Sequence, residues 1–217
     1  MLKDLILKNL STRKYHQEVP VSRETLMELI DMARLSPSGG NRQLLKYYIA
    51  CEPEKNDIIY RQIGLGGSPP EGERPSAYII VLNDTQLGTY GPTEVDHGIA
   101  AQSILLAATE KGLGGCMVGM VNRKELQIVL NIPVRYEILL VLAIGKPKET
   151  FVFEDAAANM EIMRGWWDEQ GVRHIPKRRL EDIIIRYLNY FVHQGTLPKK
   201  SLAIFSTHSL MDCTTSW

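Results

Sequence analysis

The chain has 217 residues, with 25 basic and 25 acidic side chains and an apolar content of 44%. That apolar share argues against disorder, the zero net charge lacks the basic imbalance of a general nucleic-acid binder, and no apolar run approaches the roughly 20 residues that span a bilayer. Cys51, Cys116 and Cys213 are scattered, with neither metal-ligand spacing nor a disulfide framework. The opening Met1-Leu2-Lys3-Asp4 carries an early acid and no signal-peptide apolar core, so the expectation is a reduced, cytoplasmic protein.

Leu2, Leu5, Ile6 and Asn9 fit a short helix. Ser22 reads as an N-cap with Glu24 in the first turn, and Leu26, Leu29, Ile30 and Ala33 then follow helical spacing up to Pro37. Residues 44–50 read as a strand, 64–76 as a Gly/Pro-rich loop, 77–82 as an apolar strand and 83–93 as turns. Residues 97–111 are apolar on most faces, which predicts a buried central helix closed by Gly112. A strand is expected over 114–121. Asn122-Arg123-Lys124-Glu125 resembles a capping box ahead of Leu126, Val129 and Leu130, with Pro133 as the stop. Residues 137–145 are a continuous apolar run, the pattern of a strand buried on both faces. Helices and strands in this irregular order predict an α+β fold with a central mixed sheet flanked by helices. The expected organisation is one domain over residues 1–185 and a tail of unassigned role over 186–217.

Two segments carry the chemistry. Ser11-Thr12-Arg13-Lys14-Tyr15 joins a hydroxyl to two cations. Ser36-Pro37-Ser38-Gly39-Gly40-Asn41-Arg42-Gln43 is a polar loop whose glycines let backbone approach a ligand. Further cations follow in Pro176-Lys177-Arg178-Arg179. Guanidinium binds phosphate oxygens bidentately and ammonium adds a point charge, so the set suits a phosphate. Each piece alone has an ordinary reading: a short polar stretch, a helix stop and turn, a solvated cationic patch. The signal is their joint order and spacing.

That order resembles the FMN-dependent nitroreductase family. The likeness extends over roughly residues 4–185 and includes Asp96-His97-Gly98-Ile99-Ala100-Ala101-Gln102, Gly112-Leu113-Gly114-Gly115-Cys116-Met117-Val118-Gly119, Leu130-Asn131-Ile132-Pro133 and Ile144-Gly145-Lys146-Pro147. The resemblance implies an interlocked homodimer with a flavin in each of two shared grooves. It implies that Ser11 and Arg13 contact the FMN phosphate and ribityl chain, with Lys177 and Arg179 completing the phosphate site. Pro37, Ser38, Gly39, Asn41 and Gln43 would reach the ring from the partner subunit, and the backbone at Gly114 and Gly115 would pass close to it. The implied activity is transfer of reducing equivalents from NADH or NADPH through flavin to a small-molecule acceptor such as a nitroaromatic or quinone. No catalytic side chain, metal, nucleic acid or membrane is implied.

The chain departs from the family pattern at Asn9 and Leu10, where two basic residues usually precede the serine, and at Leu44-Leu45, where proline and an aromatic are common. These departures leave open a non-catalytic flavin-binding or flavin-handling protein of the same fold, or a dimeric interaction protein without FMN. Other candidates read as structural: Cys116 as a small buried residue, His97 as a cap or surface group, His174 as a supporting group, Trp166 and Trp167 as packing. The run from Gly64 to Gly67 lacks the Lys-Ser/Thr ending of a phosphate loop.

Overall fold

The computed structural model describes residues 1–66, 68–89, 91, 95–156 and 164–185. The expected tail over 186–217 and Gly67 of the glycine run lie outside them. In chain order the elements are α1 (Leu2–Lys8), β1 (Tyr15–His16), α2 (Arg23–Arg34), β2 (Leu45–Ala50), α3 (Pro53–Tyr60), β3 (Ala77–Asp84), α4 (Asp96–Glu110) and β4 (Gly114–Val118). They continue with α5 (Arg123–Val129), β5 (Tyr136–Pro147), β6 (Thr150–Asp155), β7 (Trp166–Trp167), β8 (Val172–Lys177) and α6 (Leu180–Ile183). The chain divides into two units, one of residues 1–152 and 165–174, the other of 153–164 and 175–217.

The first unit is built on β5. Val141, Leu142, Ala143 and Ile144 are all fully buried, as a strand covered on both faces requires. β3 lies along one edge, with Ala77 opposite Ile144 and Ile80 opposite Val141, and β2 extends the sheet beyond it. Along the other edge β4 and then β1 follow end to end, with Gly114 opposite Gly145 and Tyr15 opposite Pro147. These named strands pair antiparallel; the parallel element is a bridge between Ser11 and Gly115.

Alternation along β3 sorts the two cores. Ala77, Ile79 and Val81 face α2 and α4, meeting Leu26, Leu29, Ile104, Leu105 and Ala108. Tyr78, Ile80 and Leu82 face the other way, toward Ile59 of α3 and Leu126 of α5. The central sheet is thus covered by helices on both sides, the expected α+β arrangement.

The ends of the helices follow local chemistry. The Ser22 side chain accepts a hydrogen bond from Thr25 N at the start of α2. After α4 the chain turns at Gly112 (φ +70°). Gly112 N donates to Thr109 O at 3.0 Å and Leu113 N to Ala108 O at 2.8 Å, the paired bonds of a Schellman stop. The capping box expected at Asn122 is not formed, for its side chain makes no cap bond. Its backbone N instead donates to Gln62 O at 2.8 Å, and the neighbouring bridge between Ile63 and Val121 sets how the chain enters α5.

The glycine pair opening β4 is demanded by packing. A Cβ on Gly115 would stand 2.5 Å from Leu105 Cδ2 and 2.7 Å from the carbonyl oxygen of Ala143. A backbone oxygen in a central strand cannot retreat, so Gly115→Ala is expected to destabilise the fold by about 1–3 kcal/mol. Urea denaturation checks this: the midpoint should fall with the slope unchanged, and an unchanged midpoint would contradict the packing account.

Candidate functional site

The segment at residues 11–15 is fastened at several points. Thr12 N donates to Gly115 O at 3.0 Å. A Cβ on Gly114 would lie 2.6 Å from Thr12 Oγ1, so the missing side chain is what lets this segment lie against β4. The missing side chains at Gly114 and Gly115 thus make room for the protein's own Thr12, Leu105 and Ala143. Tyr15 is fully buried, and its hydroxyl donates to Thr12 O at 2.5 Å. Burial holds that phenol protonated, well above the usual tyrosine range. The Glu149 carboxylate, just past β5, accepts from Arg13 N at 2.7 Å and from Lys14 N at 3.3 Å.

This scaffold presents charge. Arg13 Nη1 donates to Ser11 O at 3.2 Å, and Gly66 gives its guanidinium room, since a Cβ there would sit 3.1 Å from Arg13 Nε. Arg173, which sequence reading did not single out, joins them: its Nη1 donates to the same Ser11 O at 3.3 Å. Its guanidinium lies 5.1 Å from the centre of the Trp167 ring. The Lys14 ammonium faces Glu73 at 3.7 Å. A hydroxyl and two guanidiniums around one carboxylate leave net positive charge, a donor set that fits a phosphate group. Cys116 is buried beside them, and burial pushes its thiol up, which keeps it protonated and inert. Asn9 is tied elsewhere, its Nδ2 donating to Thr109 Oγ1 at 3.1 Å.

The second predicted segment forms its own cluster. Gly39 begins a single 3-10 turn ending at Asn41, with Gly40, Asn41 and Gln43 all at positive φ. Gly39 N donates to Asp96 Oδ1 at 3.0 Å, at the start of α4. Gln43 N donates to Ser38 Oγ at 3.3 Å, and Gln43 Nε2 to Asn41 Oδ1 at 3.0 Å. A pocket of about 200 Å³ opens here, lined by Pro37, Ser38, Gln43, Tyr47, Asp96 and Ala100 among others. Asp96 is buried, and its Oδ2 has no hydrogen-bond partner among the described residues. The two clusters meet α4 at opposite ends, Asp96 and Thr109, which are about 20 Å apart at 1.5 Å per residue.

Lys177 and Arg179 belong to the second unit. There the Lys177 ammonium lies 5.3 Å from the centre of the Phe153 ring, and Arg179 stands at the N-terminal boundary of α6. His174, in the first unit, stacks on Trp166 at 3.9 Å and pairs with Asp168 at 3.1 Å, which holds that carboxyl low. Its geometry is that of a brace between β7 and β8.

The model of the nitroreductase family matches residues 6–66 and 73–146. The chain belongs to the nitroreductase family. A protein of Archaeoglobus fulgidus described as an NADH dehydrogenase/NAD(P)H nitroreductase is 29% identical over 160 residues, 69% of this chain and 90% of the relative. An NADPH-flavin oxidoreductase of Vibrio harveyi is 26% identical over 161 residues, covering 67% of this chain and 65% of the relative. Among solved structures, an FMN-dependent nitroreductase of Clostridium difficile R20291 superposes with a TM-score of 0.56 at 25% identity, over 71% of this chain and 90% of that one. The fold of this nitroreductase-family chain is therefore the one its residues resembled.

Within this family member Glu149 is the residue that fixes the backbone of the cationic segment. Glu149→Ala would leave the N–H groups of Arg13 and Lys14 without their acceptor, at a cost of about 1–3 kcal/mol. Glu149→Gln, which keeps an acceptor oxygen, is expected to retain most of the stability. Urea denaturation of the two variants distinguishes this anchoring role from a purely charge-based one, in which both would lose alike.

Proposed function

We propose that this chain is an FMN-dependent oxidoreductase that takes reducing equivalents from NADH or NADPH and delivers them to an oxidised small molecule such as a nitroaromatic or a quinone. The carrying observation is the fastening of residues 11–13 to β4 and Glu149, which presents a hydroxyl and a guanidinium on a rigid backbone. FMN, when bound, supplies the hydride-accepting and hydride-donating chemistry. Ser11 and Arg13 would hold its phosphate. The backbone at Gly114 and Gly115 would flank the ring.

Pro37, Ser38, Gly39, Asn41 and Gln43 would face the flavin of a second copy. The spacing on α4 supports this assignment: a phosphate on the segment anchored near Thr109 stands about 20 Å along the helix from this chain's own loop anchored at Asp96. A homodimer with shared sites brings one chain's loop to the other's phosphate segment. No side chain is assigned a proton transfer; the residues bind, orient and exclude water.

The absorption spectrum of the purified protein tests the reading. A yellow protein is expected, bleached by anaerobic NADH or NADPH and restored by a nitroaromatic or quinone. A flavin that stays oxidised with both nicotinamides would make the chain a flavin-handling protein instead.

A further inference from the structure

We propose that Arg173 is a second guanidinium of the phosphate site and that it contributes to selecting a flavin with a terminal phosphate; the inference rests on the flavin reading above. Arg13 and Arg173 converge on one carbonyl oxygen, that of Ser11, at 3.2 and 3.3 Å. Two guanidiniums held on one oxygen repel each other, and nearby negative charge offsets that repulsion. Among the described residues, Glu149 supplies the carboxylate beside them. Glu149 Oε1 lies 3.9 Å from Arg173 Nη1, while its Oε2 is occupied by the N–H groups of Arg13 and Lys14. Among the described residues the cluster sets two guanidiniums against one carboxylate, a net positive charge.

The free donors point the same way. A guanidinium carries five N–H groups. Arg173 Nε is buried and has no hydrogen-bond partner among the described residues. The side chain keeps 16% of its surface exposed, the part a ligand can reach. Burial first, and then the charge of Arg13, push the Arg173 guanidinium below its ordinary range. A phosphate dianion on the exposed side of the pair would add the missing charge and accept from the reachable N–H groups of both guanidiniums. Trp167 under the Arg173 plane and Glu149 beside it restrict the rotamers, so less freedom is lost on binding.

The test is the affinity for FMN and for riboflavin, which lacks the phosphate, measured on the full chain with wild type, Arg173→Gln and Arg13→Ala. Arg173→Gln is expected to weaken FMN binding about ten- to a hundredfold, the loss of one charge-assisted contact, and to leave riboflavin binding unchanged. Unchanged FMN affinity in Arg173→Gln, with FMN lost in Arg13→Ala, would overturn the role of Arg173 and spare the flavin reading. Equal losses for FMN and riboflavin would make Arg173 a structural brace and also overturn it. A wild type that binds FMN no tighter than riboflavin would instead overturn the phosphate-site reading itself. Should the Gln variant fail to fold, Arg173→Lys serves: the charge without the fork predicts an intermediate loss for FMN alone, and wild-type affinity would contradict the proposal.

Discussion

Burial of β5 on both faces is the constraint from which the rest follows. A strand with Val141, Leu142, Ala143 and Ile144 all removed from water needs a helical layer on each side and a partner strand along each edge. β3 occupies one edge; β4 and β1 share the other. Because β4 must lie close to β5 beneath α4, it opens with two glycines, and that thin edge is where residues 11 and 12 settle. The cationic segment is thus a consequence of how the central strand is covered. Its place is set by backbone pairing, a buried tyrosine and one carboxylate.

This division of labour bears on function. Residues that hold the segment (Thr12, Tyr15, Glu149) are buried or nearly so, whereas those that present chemistry (Ser11, Arg13) remain reachable. Preorganised charge of this kind is strongest where the supporting groups cannot relax. The loop at residues 37–43 follows a different logic. It is short, carries three residues at positive φ, and is tied to the start of α4 through Asp96. The long apolar helix therefore spaces these two segments apart, and that separation is what supports the proposal of a site shared between two copies.

Much of this was legible in the residues. The 3.6-residue spacing of Leu26, Leu29 and Ala33, the unbroken apolar run of β5 and the polar start of α2 each carry a strong local signal, and each element formed where expected. α3 is hard to read from the residues because its amphipathic pattern is weak and its one buried side chain is Ile59; Pro53 at its first turn is the available clue. Asn122 failed as a cap because strand-like pairing one residue earlier dictates its backbone, a tertiary fact. At Gly114 and Gly115 the space a side chain would need is taken by Thr12, Leu105 and Ala143, a packing demand that only the folded sheet reveals. Arg173 lies far along the chain from Ser11 and belongs to no local motif, so only the fold could bring them together.

On the reading proposed above, residues 11–13 of one chain and residues 37–43 of another address the same flavin. A crystal structure of the FMN-loaded protein tests it most directly. The account predicts the phosphate within hydrogen-bond distance of Ser11 and Arg13, and the isoalloxazine ring against the Ser38 and Asn41 loop of a second copy. A phosphate bound away from Ser11 and Arg13, or a ring contacted by the same chain's own loop, would contradict it.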